Sequence, residues 1–310
     1  MSAPDPRALA WSVRTLCPGG RVGEVRDLHE GLGPWLVRCA SARGAAPCSG
    51  ILRVAGTRGK GAEYVRIEAA ALRAAEASGV VAPRLLGLHA GGGDAGRVAS
   101  LQSVLEGGQI VHGAYRPDLL RSLGGAMARV HRVVPDRSPD LPARRRALEP
   151  GEGFLEERRR FAGSPRWSAG ERLLQGARAV LRHRSPPPGP VGLVHGDAWL
   201  GNAMAAGLRC TGLFDWGCAG IGHPGVDVGY TRLSAALTYG LQAADDVLAG
   251  WEAESGAPLP SVAYWDVVAA LTTPPDLGEC TDLRDEFLLR ALRSTPGWAG
   301  RSGSRSPGPT

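Results

Sequence analysis

Three carboxylates and one carboxamide stand at fixed gaps in the second half of the chain. Asp197 closes the triplet His195-Gly196-Asp197, Asn202 follows five residues later, Asp215 thirteen after that, and Asp227 twelve further on. An apolar run, Val191 to Val194, precedes the triplet, and Gly212-Leu213-Phe214 precedes Asp215; each reads as a buried strand. Two strands that deliver carboxylates, with a carboxamide on the loop between them, bring three oxygen donors to one strand end. Hard oxygen donors suit Mg²⁺, and a carboxylate can orient an attacking hydroxyl and take its proton, which is what phosphoryl transfer from Mg-ATP requires. The same stretch permits a second chemistry. His195, Asp197, Asp215 and His223 could ligate the metal of a hydrolase, although such sites usually draw on more histidines.

The spacing HGD-x4-N, then Asp215-Trp216, then Gly222-x-Pro224-x-x-Asp227, resembles the aminoglycoside phosphotransferase and choline kinase family. The resemblance implies an α+β, protein-kinase-like two-lobe fold. A small β-rich N-lobe would occupy residues 1–105, and a larger, mainly helical C-lobe 106–296. It implies ATP and Mg²⁺ as cofactors and a hydroxyl of a small molecule as acceptor, an aminoglycoside or other antibiotic, or else a metabolite alcohol or amino alcohol. Carried over residue by residue, Asp197 is the catalytic carboxylate and Asn202 and Asp215 are the metal ligands. His195 and Asp227 then hold the catalytic loop, Trp216 packs, and His223 is loop. Gly196 stands where regulated protein kinases carry an arginine, which with the short gap from Asp215 to Asp227 argues against a protein substrate.

Other elements must bring phosphate-binding groups to these donors. A helix is expected from Pro6 to Leu16, and strands from Val22 to His29 and Trp35 to Ala40. Between the strands, Glu30-Gly31-Leu32-Gly33-Pro34 fits a hairpin whose glycines, Gly31 and Gly33, let the backbone approach phosphate oxygens. Ile51-Leu52-Arg53-Val54 reads as a strand carrying one cation. In the resemblance this is where a lysine meets the phosphates; here Arg53 takes the position, with Lys60, the only lysine of the chain, as the alternative. Arginine keeps the charge but changes the geometry, and an ordinary exposed strand arginine is the third reading. Residues 62–78 form a helix, and the resemblance makes Glu68 the partner of the cation. Val81 to Leu88 and Val98 to Leu105 are further strands, and backbone groups from Ser103 to Leu105 would meet the adenine edge. Arg53 in place of lysine and the sparse glycine hairpin leave open a catalytically silent, kinase-like nucleotide-binding protein.

Beyond Glu106, helices are expected over 118–134, 169–184, 228–240, 242–256, 260–272 and 281–294, with His131 as a partly buried structural histidine. The tail 297–310 is Gly/Ser/Pro/Arg-rich and reads as disordered. The net charge of +6 is arranged as an arginine-rich stretch, 129–184, and an acidic one, 241–289. No aromatic interleaving accompanies the arginines, so no nucleic-acid partner is expected, and a solvated arginine face is the reading. The acidic stretch would suit a polycationic acceptor, or simply face solvent. There is no 18-residue apolar run and no secretory h-region, so neither a membrane nor export is expected. Six scattered cysteines without a CxxC read as reduced thiols of a cytoplasmic protein, a monomer or a dimer.

Overall fold

The computed structural model describes residues 3–28, 34–40, 48–56, 60–92, 96–135, 138–145, 165–182 and 184–295. Gly31 and Gly33, the Arg158-Arg159-Arg160 run and the tail 297–310 lie outside the described residues.

Helix α1 (Pro6–Leu16) begins where its signals put it: Asp5 accepts the N–H groups of Arg7 and Ala8 at 2.8 and 3.3 Å, and Pro6 takes the first helical position. Strands β1 (Arg21–Asp27), β2 (Trp35–Ala40) and β3 (Cys48–Val54) lead into α2 (Gly61–Ala77), which is followed by β4 (Leu85–Gly92) and β5 (Gly96–Gln102). The five strands form one antiparallel sheet in the order β1-β2-β3-β5-β4. Two strands differ from expectation. β4 starts at Leu85 rather than Val81, because Pro83 has no N–H to give to a ladder and residues 81–84 bend instead. β5 ends at Gln102, three residues before the expected Leu105.

The remainder is mainly helical. Strand β6 (Gly108–Gln109) precedes α3 (Pro117–His131), β7 (Ala143–Arg144), α4 (Pro165–Leu181) and β8 (Gly192–Val194). Strand β10 (Arg209–Leu213) contains Gly212 and Leu213 of the expected strand but begins three residues earlier, and its hairpin partner β9 (Ala203–Ala206) was not anticipated. Strand β11 (Gly220–Gly222) and helices α5 (Gly225–Tyr239), α6 (Leu241–Ser255), α7 (Val262–Ala270) and α8 (Thr281–Arg293) complete the chain. The architecture is thus α+β, with a β-rich first part and a helical second part. A shared core joins them: Ile67, Ala71, Leu72 and Ala75 of α2 belong to the same apolar cluster as Leu120, Leu123 and Met127 of α3 and the fully buried Trp216.

Five of the ten acids of 241–289, Asp285 beside Arg284 among them, are paired with arginines in place. Asp246 meets Arg121 at 2.9 Å, Glu254 meets Arg129 at 2.8 Å and Arg132 at 2.5 Å, Asp245 meets Arg290 at 3.0 Å, and buried Asp266 takes a two-pronged contact from Arg232 at 2.9 and 3.0 Å. Arg129 and Arg132 are therefore partners of α6 rather than a purely solvated face. All six cysteines are free thiols. Among the described residues, no helix is long and apolar enough to cross a membrane.

Candidate active site

β8 ends at Val194 and hands the chain to His195, Gly196 and Asp197. The turn is pinned from α5. The Asp227 carboxylate, in the first turn of that helix rather than in a loop, accepts the N–H of His195 at 2.7 Å and of Gly196 at 2.8 Å. It also accepts from His131 Nε2 at 3.0 Å. The tautomer of His131 follows from its other neighbour. The Trp251 indole can only donate, and its Nε1 lies 2.9 Å from His131 Nδ1, so the imidazole proton sits on Nε2. His195 is fixed by the same logic. Its Nε2 donates to the Phe214 carbonyl at 2.9 Å, while Nδ1 accepts from the Asp197 N–H at 3.3 Å. Burial depresses the His195 imidazolium, and the Asp227 charge only partly offsets this. Burial also raises the Asp227 carboxyl, but the His131 hydrogen bond and the surrounding donors outweigh it and hold the group below its ordinary value.

Gly196 is required by both conformation and space. Its φ is +79°, and a Cβ would stand 1.9 Å from the Cys218 carbonyl oxygen.

The half-buried Asp197 accepts from Asn202 Nδ2 at 3.0 Å through Oδ2, and its backbone carbonyl accepts from the same nitrogen at 3.0 Å. With the NH₂ end committed twice, the carboxamide oxygen of Asn202 is the atom left for a cation. Burial, then the negative charge of Asp215, pushes the Asp197 carboxyl up to about 7, against the opposing pull of the Asn202 donor. Tyr230 lies close enough to feel this carboxylate, and burial followed by that charge raises its phenol.

The raised Asp197 value has a consequence for stability. Folding tightens proton binding here, so the acid contributes a penalty that grows as pH rises from about 4 and is complete above about 7. Asp197→Asn is expected to raise the Tm of the ligand-free protein by several degrees at pH 8 and by less at pH 5. Thermal melts at the two pH values check this; an equal shift at both would show that the carboxyl is not perturbed.

Asp215 sits in the left-handed region at φ 66°, rare for a residue with a side chain and a mark of local strain at functional turns. Its Oδ1 receives Arg53 at 3.0 Å, while Arg53 Nε meets Glu68 Oε2 at 3.1 Å. Arg53 of β3 thus bridges Glu68 of α2 and Asp215 after β10. Glu68 is fully buried; burial raises its carboxyl, with Arg53 pulling the other way. Lys60 instead lies exposed at the N-terminal end of α2. Ser103 is committed to the neighbouring strand: its N–H donates to the Arg84 carbonyl at 2.9 Å and its hydroxyl accepts from the Arg84 N–H at 2.8 Å. Leu105 lies beyond that pair and packs against Gly212.

The structure therefore brings Arg53, Glu68, Asp197, Asn202, Asp215, His195 and Asp227 to one junction. Asn202 and Asp215 offer carboxamide and carboxylate oxygens that fit Mg²⁺, and 42% of the Asp215 side chain is open to solvent. The histidine half of a hydrolase metal set is not formed. Both ring nitrogens of His195 are engaged, and His223 is buried, stacks on Trp265 at 4.7 Å and accepts from the Gly225 N–H. No group of three or more His, Cys, Asp or Glu side chains able to hold a metal ion occurs among the described residues. Sequence reasoning missed the Trp251–His131 contact, because nothing local marks a tryptophan 120 residues away as a histidine's partner.

Solved phosphotransferases are among the similar architectures. Amicoumacin kinase hAmiN, in complex with AMP-PNP, Ca²⁺ and Ami, superposes with a TM-score of 0.60 at 15% identity, covering 94% of each chain. The macrolide 2′-phosphotransferase MphH from Brachybacterium faecium gives 0.54 at 18% identity, covering 84% of this chain and 88% of that one. A spectinomycin phosphotransferase in complex with ADP and spectinomycin gives 0.55 at 10% identity, covering 92% and 95%. At such identities the likeness establishes the fold. No curated protein matches in sequence. The family model for the phosphotransferase enzyme family matches residues 42–271, which is most of the chain and includes every residue of the junction just described, and the protein belongs to that family.

Proposed function

We propose that this phosphotransferase moves the γ-phosphate of Mg-ATP to a hydroxyl of a small molecule. The observation that carries the reading is the junction itself: a cation from the sheet, Arg53, paired with Asp215, and Asp197 paired with Asn202, the two pairs joined by the Phe214 N–H on the Asn202 carbonyl at 2.9 Å. Asp197 orients the acceptor hydroxyl and takes its proton. Asn202 and Asp215 would hold Mg²⁺, which would supply positive charge to the transferring phosphate. Arg53, aimed by Glu68, clamps the phosphates, and backbone groups near Leu105 meet the adenine edge. Because the transition state of phosphoryl transfer is loose, positioning outweighs basicity. The solved relatives named above act on antibiotics, so antibiotics head the list of acceptors, followed by sugars and amino alcohols.

ADP release with Mg-ATP against aminoglycosides, macrolides, neutral sugars and amino alcohols tests the reading. Acceptor-dependent release supports it. Clear Mg-ATP binding without turnover on any acceptor favours a silent kinase-like protein, and absence of ATP binding overturns the proposal.

The clamp makes its own prediction. Glu68→Gln removes the buried charge that aims Arg53 but keeps an acceptor for the Ser100 hydroxyl 3.4 Å away. The KM for ATP is expected to rise about ten-fold with a smaller change in kcat, since charge-assisted pairs are worth roughly twice neutral ones. Steady-state kinetics at varied ATP check this; an unchanged KM would remove Arg53 from the phosphate site.

A further inference from the structure

Trp199 lies two residues past Asp197, yet its side chain is not consumed by the core: 39% of the residue is exposed, in contrast to the fully buried Trp216 and Trp265. It is held in place nonetheless. Its N–H donates to the Asp197 carbonyl at 3.1 Å, and its own carbonyl accepts the Asn202 N–H at 2.9 Å, so the indole is carried by the very turn that joins Asp197 to Asn202. The ring lies over Gly201, where a Cβ would come within 2.2 to 2.6 Å of three of its carbons. Gly201 is fixed in turn, since its carbonyl accepts Gln109 Nε2 at 2.8 Å, and the Leu200 N–H is taken by the Ser234 hydroxyl at 3.2 Å. A large, exposed apolar surface costs free energy unless something covers it, and an aromatic face kept rigid beside a reacting group is a ready stacking surface.

The charges of the helical part bear on what covers it. A polycationic acceptor needs uncommitted carboxylates. Half of the ten acids of 241–289 are already paired: Asp245 with Arg290, Asp246 with Arg121, Glu254 with Arg129 and Arg132, Asp266 with Arg232, and Asp285 with Arg284. Adding a polyamine there would displace existing arginine contacts rather than gain new ones.

We propose that Trp199 is the platform on which the acceptor ring stacks, and that the acceptor is an uncharged, ring-bearing polyol, a neutral sugar or glycoside, rather than a polyamine. This rests on the phosphotransferase reading above and specifies its substrate class. A pyranose offers one face of C–H groups to the indole and presents its hydroxyls at the edge, so that one of them reaches Asp197. Gly201 is then part of acceptor selection, because it lets the ring lie flat against the turn.

The test compares the wild type with Trp199→Ala, Trp199→Phe and Gly201→Ala, after thermal melts show all four folded. Indole emission is titrated with a panel of neutral hexose and pentose methyl glycosides, with kanamycin and with choline, and the wild-type signal minus the Trp199→Phe signal isolates the platform. The expected result is that a glycoside perturbs that difference signal while kanamycin and choline do not. For ADP release driven by the same glycoside, KM should rise at least ten-fold in Trp199→Ala and in Gly201→Ala and recover in Trp199→Phe, with the KM for ATP within about two-fold throughout. A response to kanamycin or choline in place of the glycosides, no response to any glycoside, or an unchanged glycoside KM in Trp199→Ala overturns the proposal. Glycoside binding without any ADP release upholds the platform and instead counts against the transfer reading.

Discussion

Asp197→Asn is expected to lower kcat by about 10³-fold while leaving the KM for ATP within about two-fold. The substitution is nearly isosteric. The new side chain still presents an oxygen to Asn202 Nδ2, now 3.0 Å from the carboxylate, so the turn to Asn202 has no reason to move. What disappears is the one group at this turn able to take the acceptor proton. General-base removal alone spans about 10² to 10⁴, and the lost orientation of the hydroxyl places the expected value inside that range. Arg53 pairs with Glu68 and Asp215 and not with Asp197, so nucleotide binding should survive. Acceptor-dependent ADP release, measured beside calorimetric Mg-ATP binding, separates the two effects. A fall in kcat of only a few-fold would mean that transfer does not depend on this carboxylate. A matching loss of ATP affinity would mean that Asp197 belongs to the metal set.

Much of this junction could be read from residue spacing, and the reason is physical. Asp197, Asn202, Asp215 and Asp227 lie on a single stretch in which strand ends and a helix start fix their relative positions, so the gaps between them carry geometric information. The helices were legible for a similar reason: α1 and α2 have clear periodicity and stop signals, and their observed bounds lie within a residue or so of expectation. What was not legible depends on distant partners. The β9–β10 hairpin has small, weakly patterned strands, Ala203 to Ala206 above all, and its pairing with β6 is set by chain almost a hundred residues away. The bridge from Arg53 to Asp215 spans a still longer separation, so Arg53 could be named as a cation on the right strand while its second carboxylate could not. The acids of 241–289 misled in the opposite sense. Composition showed their number, but only tertiary packing showed that arginines on α3, α5 and α8 already answer Asp245, Asp246, Glu254 and Asp266.

Asp227→Ala should cost about 3–5 kcal/mol of stability, the range for leaving three buried donors without their shared acceptor. Asp227 is almost wholly inaccessible and serves three donors at once: the backbone N–H groups of His195 and Gly196 and the His131 imidazole. Alanine leaves all three without an acceptor in a dry interior, and each unsatisfied donor carries about 1–3 kcal/mol. For a chain of this size, the loss corresponds to a fall in Tm of roughly 5–8 °C. The kinetic effect should be separable from the thermal one. At a temperature where the variant remains folded, kcat is expected to fall at least a hundred-fold, because the turn carrying Asp197 has lost its anchor to α5. Further ties bind the same turn, from His195 to the Phe214 carbonyl, from Thr231 to the Ala198 carbonyl and from the Leu200 N–H to Ser234. If the Tm falls as expected while kcat at low temperature is preserved, those ties suffice to hold the loop, and Asp227 acts on stability alone. If neither changes, the buried carboxylate does not carry the network. A control, Ser234→Ala, breaks one partly buried hydrogen bond at the Leu200 N–H and should cost about 1 kcal/mol, which scales the larger loss against an ordinary one.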